Sequence, residues 1–154
     1  MDPRILVGRF LVTCCYLSHC AFHEQPGMSG FLPLKPFSRT ISAGDVIKLT
    51  VTASSEKSGT AKIENLTNGQ TVSEDLTSNA ALCLQDAEWI VEDLTEVSGL
   101  APLANFGTVT FTNAEASGTG TYTPSGAAIS DIEQNGQVLT STSIDGSSVT
   151  IEHM

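Results

Sequence analysis

The chain of 154 residues is long enough for a single domain with a hydrophobic core. Its formal net charge at pH 7 is −10, and the acidic excess lies in residues 41–154, which hold three lysines and no arginine against fifteen acidic residues. Such a surface repels the phosphates of nucleic acids and of anionic membranes, so neither is expected as a partner.

Residues 1–36 differ in composition from the rest of the chain, and we predict that they form an unrelated or poorly ordered N-terminal segment. The apolar stretch 5–17 is too short to span a bilayer, and Arg9 interrupts it. The stretch ends in Cys-Cys-Tyr and lacks the small-residue cleavage site of a secretory signal. Its signal-like character is therefore weak.

The cysteines form neither a disulfide framework nor a recognisable zinc site. Three of the four lie near the N-terminus, and Cys83 stands apart from them. His19 and His23 flank Cys20, but the spacing of these residues matches no zinc motif. We therefore predict no metal site and treat the cluster as coincidental.

From about Ile41 the sequence is rich in Thr, Ser, Gly and Val, and its apolar and polar residues alternate as in antiparallel strands. Residues 45–53 and 106–114 each predict a strand, and no stretch has a helical period. Three dipeptides predict hairpin turns, because both residues of a tight hairpin turn must accept positive φ: Asn68-Gly69, Asn135-Gly136 and Asp145-Gly146. The predicted fold of residues 37–154 is all-β and sandwich-like.

The triplet Asn65-Leu66-Thr67 has the pattern of an acceptor for N-linked glycosylation. Such triplets also occur by chance in threonine-rich sequences, and this one has meaning only in a secreted chain. It gives mild support to export.

The stretch AEWIVEDL, residues 87–94, carries three acids within a strand-like apolar segment that also holds the only tryptophan, Trp89. Alternate residues of a strand share a face, so Glu88 and Glu92 would lie together, opposite Trp89 and Asp93. Spacing alone favours a solvent-facing acidic strand over a catalytic site. A carboxylate can nevertheless act as a general base on water, provided that a second group stabilises the oxyanion. His153 offers no alternative base, because it is expected to fray at the C-terminus.

The blocks ALCLQDAEWIVEDL and LAPLANFGTVTFTNA resemble the eqolisins, the fungal glutamic peptidases that pepstatin does not inhibit. The segment ISAGDVIKLTVTASSEKSGTAKIENLTNGQTVS is similar to the part of that family that precedes them, so the resemblance covers residues 37–154. It implies two antiparallel sheets packed as a concanavalin-like sandwich, secretion, and hydrolysis of protein or peptide substrates in acid without metal or cofactor. We expect a monomer. The composition independently favours acid, because many carboxylates become neutral at about pH 3–4.

In that family a glutamate acts as the general base, and a glutamine amide helps to stabilise the oxyanion. The resemblance assigns the glutamate to Glu88, which is the predicted catalytic residue. The family's glutamine belongs to an N-terminal half with a Trp-Val-Gly-Ile-Asp-Gly type of motif, and none of the glutamines of this chain lies in such a motif. We therefore expect an incomplete sandwich with little or no activity. The alternative is a non-catalytic β-sandwich, derived from the peptidase, that binds carbohydrate or peptide.

Overall fold

The computed structural model describes residues 12–13, 42, 44–77, 81–82, 84–91, 95–96, 99–100 and 102–154. These residues form antiparallel strands and no helix, which confirms the all-β prediction. They therefore offer no helix that could cross a membrane. The strands are β1 (Val12–Thr13), β2 (Ile47–Ser55), β3 (Ser58–Asn65), β4 (Gln70–Thr77), β5 (Asp86–Ala87), β6 (Thr95–Glu96), β7 (Gly99–Leu100), β8 (Thr108–Phe111), β9 (Ala116–Ser117), β10 (Thr121–Tyr122), β11 (Glu133–Gln134), β12 (Gln137–Val138), β13 (Thr140–Asp145) and β14 (Ser148–His153).

The chain divides into two compact units between Glu88 and Trp89. Of the predicted N-terminal segment 1–36, only Val12–Thr13 lies among the described residues, and it pairs with β5 in a two-residue ladder. The cluster of His19, Cys20 and His23 lies outside the described residues, as does Cys83. The boundary at residue 36 stays a prediction.

Strands β2, β3 and β4 form an antiparallel meander in the first unit. Its two faces follow from the alternation in the sequence: Leu49 lies opposite Ile63, which lies opposite Val72, and all three side chains are half-buried. The neighbouring row begins with Lys48 opposite Glu64 and belongs to a face built from Lys, Glu, Asp, Thr and Ser. One face of the meander is therefore mainly apolar and the other polar.

The first strand of the meander, Ile47–Ser55, begins two residues later than the sequence predicts. The reason is a turn that leads into it. Gly44 has a positive φ of 91°, and the amide of Asp45 donates to the carbonyl of Ser42 over 3.1 Å. The Asp45 carboxylate closes the turn by accepting from the amide of Ser42 over 2.9 Å.

The hairpin predicted at Asn68-Gly69 is confirmed, but its loop is longer than the predicted two residues. The last strand pair is Asn65 with Gln70, so residues 66–69 form a four-residue loop. Only Gly69 of these four has positive φ, at 76°. The longer loop is stabilised by the Asn65 side chain, which accepts hydrogen bonds from two loop amides.

The other two predicted hairpins are also present. Asn135 and Gly136 join β11 to β12 with φ angles of 53° and 76°, the pattern of a type I′ turn. Strands β13 and β14 are joined one residue later than predicted, by Gly146 and Ser147, because Asp145 itself pairs with Ser148. Gly146 alone has positive φ, at 58°, which matches a type II′ turn with glycine at its first central position.

The second unit contains a three-stranded sheet in the order β13-β14-β8. The central strand β14 supplies Val149 and Ile151, which are only 4% and 5% exposed, and Ala114 is 6% exposed. The strand predicted over residues 106–114 is shortened to Thr108–Phe111. Positive φ angles at Gly107 and Asn113, 69° and 53°, interrupt the extended conformation on either side.

His153 does not fray, contrary to the sequence-based expectation. It pairs with Thr140 in the ladder between β13 and β14, and its amide donates to the carbonyl of Gly107 over 2.8 Å. Its ring packs edge-to-face on Phe106 with centroids 5.7 Å apart. The strand reaches residue 153 because partners on both sides of it extend that far.

Gly59 lies beside the bulge that β2 makes between Ala53 and Ser55, and we expect Gly59→Ala to destabilise the meander. A Cβ atom at Gly59 would run into the carbonyl oxygen of Thr52 and lie 3.4 Å from the Cα atom of Ala53. Both obstacles are backbone, so the strand must shift, at a cost of about 1–3 kcal/mol in the free energy of unfolding. Urea denaturation followed by circular dichroism measures the change.

Gly118→Ala is the matched control for this substitution. A Cβ atom at Gly118 meets nothing within 4 Å, and φ there is not positive. Its effect should stay within about 0.5 kcal/mol. Equal midpoints for the two variants would contradict the proposed clash at Gly59.

Candidate active site

Glu88 directly follows β5 and is the last residue of the unit Phe10–Glu88. Its side chain is half-buried, as are those of Trp89, Ile90 and Val91. Glu88 is therefore only partly exposed, at the start of a partly apolar stretch of chain.

The strand predicted over residues 87–94 is much shorter in the structure. In the described part of this stretch, the strand β5 covers Asp86–Ala87, and residues 88–91 lie outside the strands. Asp86 and Ala87 pair with Thr13 and Val12 of β1. Residues 92–94 lie outside the described residues. Glu92 is among them, so the predicted alignment of Glu88 with Glu92 stays a prediction.

The segment that leads to Glu88 is fixed at both ends. The amide of Leu82 donates to the carbonyl of Glu56, in the turn between β2 and β3, over 2.6 Å. At the other end, Asp86 and Ala87 pair with β1. Glu88 thus follows a stretch of backbone that is tied to two separate strand regions.

Leu84, within this segment, adopts a conformation that leucine rarely takes. Its φ is 57°, in the left-handed region, and its side chain is 47% exposed. Such a residue costs on the order of 1–3 kcal/mol, persists only where the surroundings impose it, and is concentrated near functional sites. The sequence gives no signal for it, because leucine is not a turn residue. The strained position four residues before Glu88 is therefore visible only in the structure.

Charged residues on the polar face of the meander are arranged around Glu64. The Nζ atom of Lys62 lies 2.8 Å from Oε1 of Glu64, and Lys48 is opposite Glu64 on the neighbouring strand. The hydrogen bond from Lys62 lowers the pKa of Glu64; burial opposes this change, and the charges of Lys62 and Lys48 add to it. Two of the three lysines in residues 41–154 therefore favour the charged form of the Glu64 carboxylate.

We expect Lys62→Met to raise the pKa of Glu64 towards its ordinary value of 4.5. Because the pKa of Glu64 is lowered in the folded state, the ion pair stabilises the fold at pH values above the ordinary pKa. That stabilisation is lost as the pH falls through the lowered pKa. NMR titration of the Glu64 side-chain carboxyl carbon measures the change. Lys57→Met is the control, because Lys57 does not contribute to the lowered pKa. An unchanged Glu64 titration in Lys62→Met would contradict the assignment.

Among the residues that the structure describes, no glutamine is assigned a catalytic role. Gln70 lies on β4, and its buried Oε1 atom has no hydrogen-bond partner within the described residues. Gln85 is exposed, and Gln25 lies outside the described residues. Among the described residues, no three His, Cys, Asp or Glu side chains are grouped so that they could hold a metal ion.

Comparison with known sequences identifies relatives of this chain. The Peptidase A4 family model matches residues 32–153. Aspergillopepsin-2 of Aspergillus niger is 53% identical over 118 residues, which cover 75% of this chain and 42% of the relative. Scytalidopepsin B of Scytalidium lignicola is 36% identical over 125 residues, which cover 75% of this chain and 48% of that relative. The chain thus spans less than half the length of these two relatives.

Solved structures show the same relationship. The crystal structure of aspergilloglutamic peptidase from Aspergillus niger matches with a TM-score of 0.71 and 52% identity, covering 77% of this chain and 71% of that one. Scytalido-glutamic peptidase, solved with a transition state analog inhibitor, matches with a TM-score of 0.64 and 33% identity, covering 75% and 61%. These structures are eqolisin β-sandwich peptidases, and they confirm the resemblance and fold class predicted from the sequence. The chain belongs to the Peptidase A4 family, the eqolisins.

Proposed function

We propose that this chain carries the glutamate half of a glutamic-type acid endopeptidase site, with Glu88 as the general base. The observation that supports the proposal is the setting of Glu88 within the family match: it is half-buried, and it follows a segment tied down at Leu82 and at β5. A carboxylate held in this way can be aligned with a water molecule and with the bond to be cleaved.

The proposed reaction is hydrolysis of a peptide bond by activated water. The Glu88 carboxylate removes a proton from water as the water oxygen attacks the carbonyl carbon. A tetrahedral oxyanion forms, and the proton passes to the amide nitrogen as the carbon–nitrogen bond breaks. The oxyanion needs a hydrogen-bond donor of its own. The resemblance assigns this donor to a glutamine in the family's N-terminal half, so we propose that a polypeptide of these 154 residues has little or no activity.

The substrates, setting and organisation of the protein are proposed on the same basis. One eqolisin structure similar to this chain contains the tripeptide Ala-Ile-His, and another contains a peptide-based transition state analog. Protein or peptide substrates are therefore the proposed partners, and nucleic acids and membranes are not. The acidic composition and the family suit a secreted monomer that works in acid, with residues 37–154 as the peptidase part.

The second candidate is a non-catalytic β-sandwich that binds peptide or carbohydrate. The observation in its favour is that the match retains the Glu88 block while it covers less than half of each curated relative. A surface that keeps one catalytic group and lacks the oxyanion donor could still hold a ligand.

Residues 37–154 joined to the N-terminal part of aspergillopepsin-2, which would supply the oxyanion donor, test the proposal through hydrolysis of a denatured protein at about pH 3, compared between the joined protein with and without Glu88→Gln. Loss of hydrolysis in Glu88→Gln supports the peptidase. Undiminished hydrolysis in that variant contradicts the role of Glu88. Absence of hydrolysis together with peptide or oligosaccharide binding, measured by calorimetry, supports the binding module.

A further inference from the structure

The side chain of Asn65, which begins the acceptor triplet Asn65-Leu66-Thr67, is buried. Asn65 is the last residue of β3 and is only 1% exposed. Its Oδ1 atom accepts hydrogen bonds from the amides of Thr67 and Asn68 over 3.0 and 3.3 Å. Its Nδ2 atom donates to Oδ2 of Asp45 over 2.7 Å. Both polar atoms of the side chain therefore have partners inside the folded meander.

The Thr67 hydroxyl group of the same triplet also has a hydrogen-bond partner. Oγ1 of Thr67 accepts a hydrogen bond from the amide of Val46 over 2.9 Å, and the amide of Leu66 donates to the carbonyl of Val46 over 2.8 Å. The triplet thus binds the two residues that lead into β2. We call Asp45, Val46, Asn65 and Thr67 the β2–β3 clamp.

N-linked glycosylation would act on the atom that the clamp buries. In that reaction a bond forms between Nδ2 of asparagine and the first sugar, the sugar–phosphate bond of a lipid-linked oligosaccharide donor breaks, and the nitrogen loses a proton. The product is a bulky, water-seeking group that belongs on a protein surface. At Asn65 it would have to occupy space filled by the loop and by Asp45. A buried side chain with these bonds cannot be modified without opening the clamp.

We propose that glycosylation of Asn65 and closure of the β2–β3–β4 meander exclude each other. The triplet is then an acceptor only in the unfolded chain, and the folded protein carries no glycan there. The mild support that the triplet gave to export no longer holds, because the residue pattern has a structural cause in the clamp. This inference is independent of the role proposed for Glu88.

A purified oligosaccharyltransferase with a lipid-linked oligosaccharide donor tests the proposal on the folded full chain. For this experiment we introduce the substitution Glu115→Thr, which completes a second acceptor triplet that begins at Asn113. Asn113 is exposed, so it reports that the enzyme can modify the folded protein. A synthetic peptide of residues 60–72 is treated in parallel and presents Asn65 without the clamp. Mass spectrometry of the digested products gives the occupancy of each site.

We expect a glycan on Asn113 of the chain and on Asn65 of the peptide. Occupancy of Asn65 in the folded chain should be at least about tenfold lower than in the peptide, because modification requires local opening. A glycan on Asn65 of the folded chain at the level of the peptide would overturn the proposal. An unmodified peptide would also overturn it, because the triplet would then be a poor acceptor whether or not the clamp is closed.

Discussion

Joining residues 37–154 to the N-terminal part of aspergillopepsin-2 is expected to raise hydrolysis of a denatured protein at about pH 3 far above that of the 154-residue polypeptide. The relative is 53% identical where it overlaps, and the overlap covers 42% of its length. The added part would supply the donor for the oxyanion, which alone accounts for about two to three orders of magnitude in rate. The value of kcat/KM on a peptide substrate, measured for both proteins, gives the ratio.

Glu88→Gln in the joined protein shows whether the higher rate comes from catalysis by Glu88 or only from better folding of the joined protein. Loss of a general base should lower kcat by roughly 10²–10⁴, while circular dichroism stays unchanged. Glu115→Gln is the control, because Glu115 is an exposed acid in the other compact unit. If the Glu88→Gln protein keeps its rate, Glu88 is not the base. If the 154-residue polypeptide already matches the joined protein, its own residues supply the oxyanion donor.

The parts of the fold that follow from neighbouring residues could be predicted from the sequence. Alternation in β2 places Leu49 on the apolar face of the meander and Lys48 on the polar face. Asn135-Gly136 forms the predicted type I′ turn because both residues tolerate positive φ. The resemblance located the Glu88 block, which lies inside the family match.

The parts that depend on distant partners could not be predicted. The sequence pattern at Asn65 predicts a glycan acceptor. It does not reveal that the side chain is buried, because the burial depends on Asp45, twenty residues earlier. Thr140 resembles any exposed strand threonine, yet it is 2% exposed, with Oγ1 donating to Asp131 and accepting from the amide of Ile132. The alternation of residues 87–91 likewise predicts a strand, whereas residues 88–91 lie outside the strands. Local patterns carry no information about such pairings.

Ile151→Ala is expected to lower the free energy of unfolding by about 2–5 kcal/mol, the largest stability change that we predict. Ile151 is 5% exposed on the central strand β14, between Val109 of β8 and Thr142 of β13. Removing most of its side chain leaves a cavity. The cavity cannot close, because hydrogen bonds to β8 and β13 hold β14 in place on both sides. Urea denaturation followed by Trp89 fluorescence is a suitable measurement, because Trp89 belongs to the same compact unit.

Two further substitutions on β14 show whether the loss comes from the core. Ile151→Val removes one methylene group and should cost about 0.5–1.5 kcal/mol. Glu152→Ala alters an exposed residue on the opposite face and should stay within about 0.5 kcal/mol. The expected order of midpoints is Glu152→Ala above Ile151→Val above Ile151→Ala. If Ile151→Ala and Glu152→Ala unfold at the same urea concentration, the face that carries Val149 and Ile151 is not the core of this unit, because burial there would contribute nothing measurable.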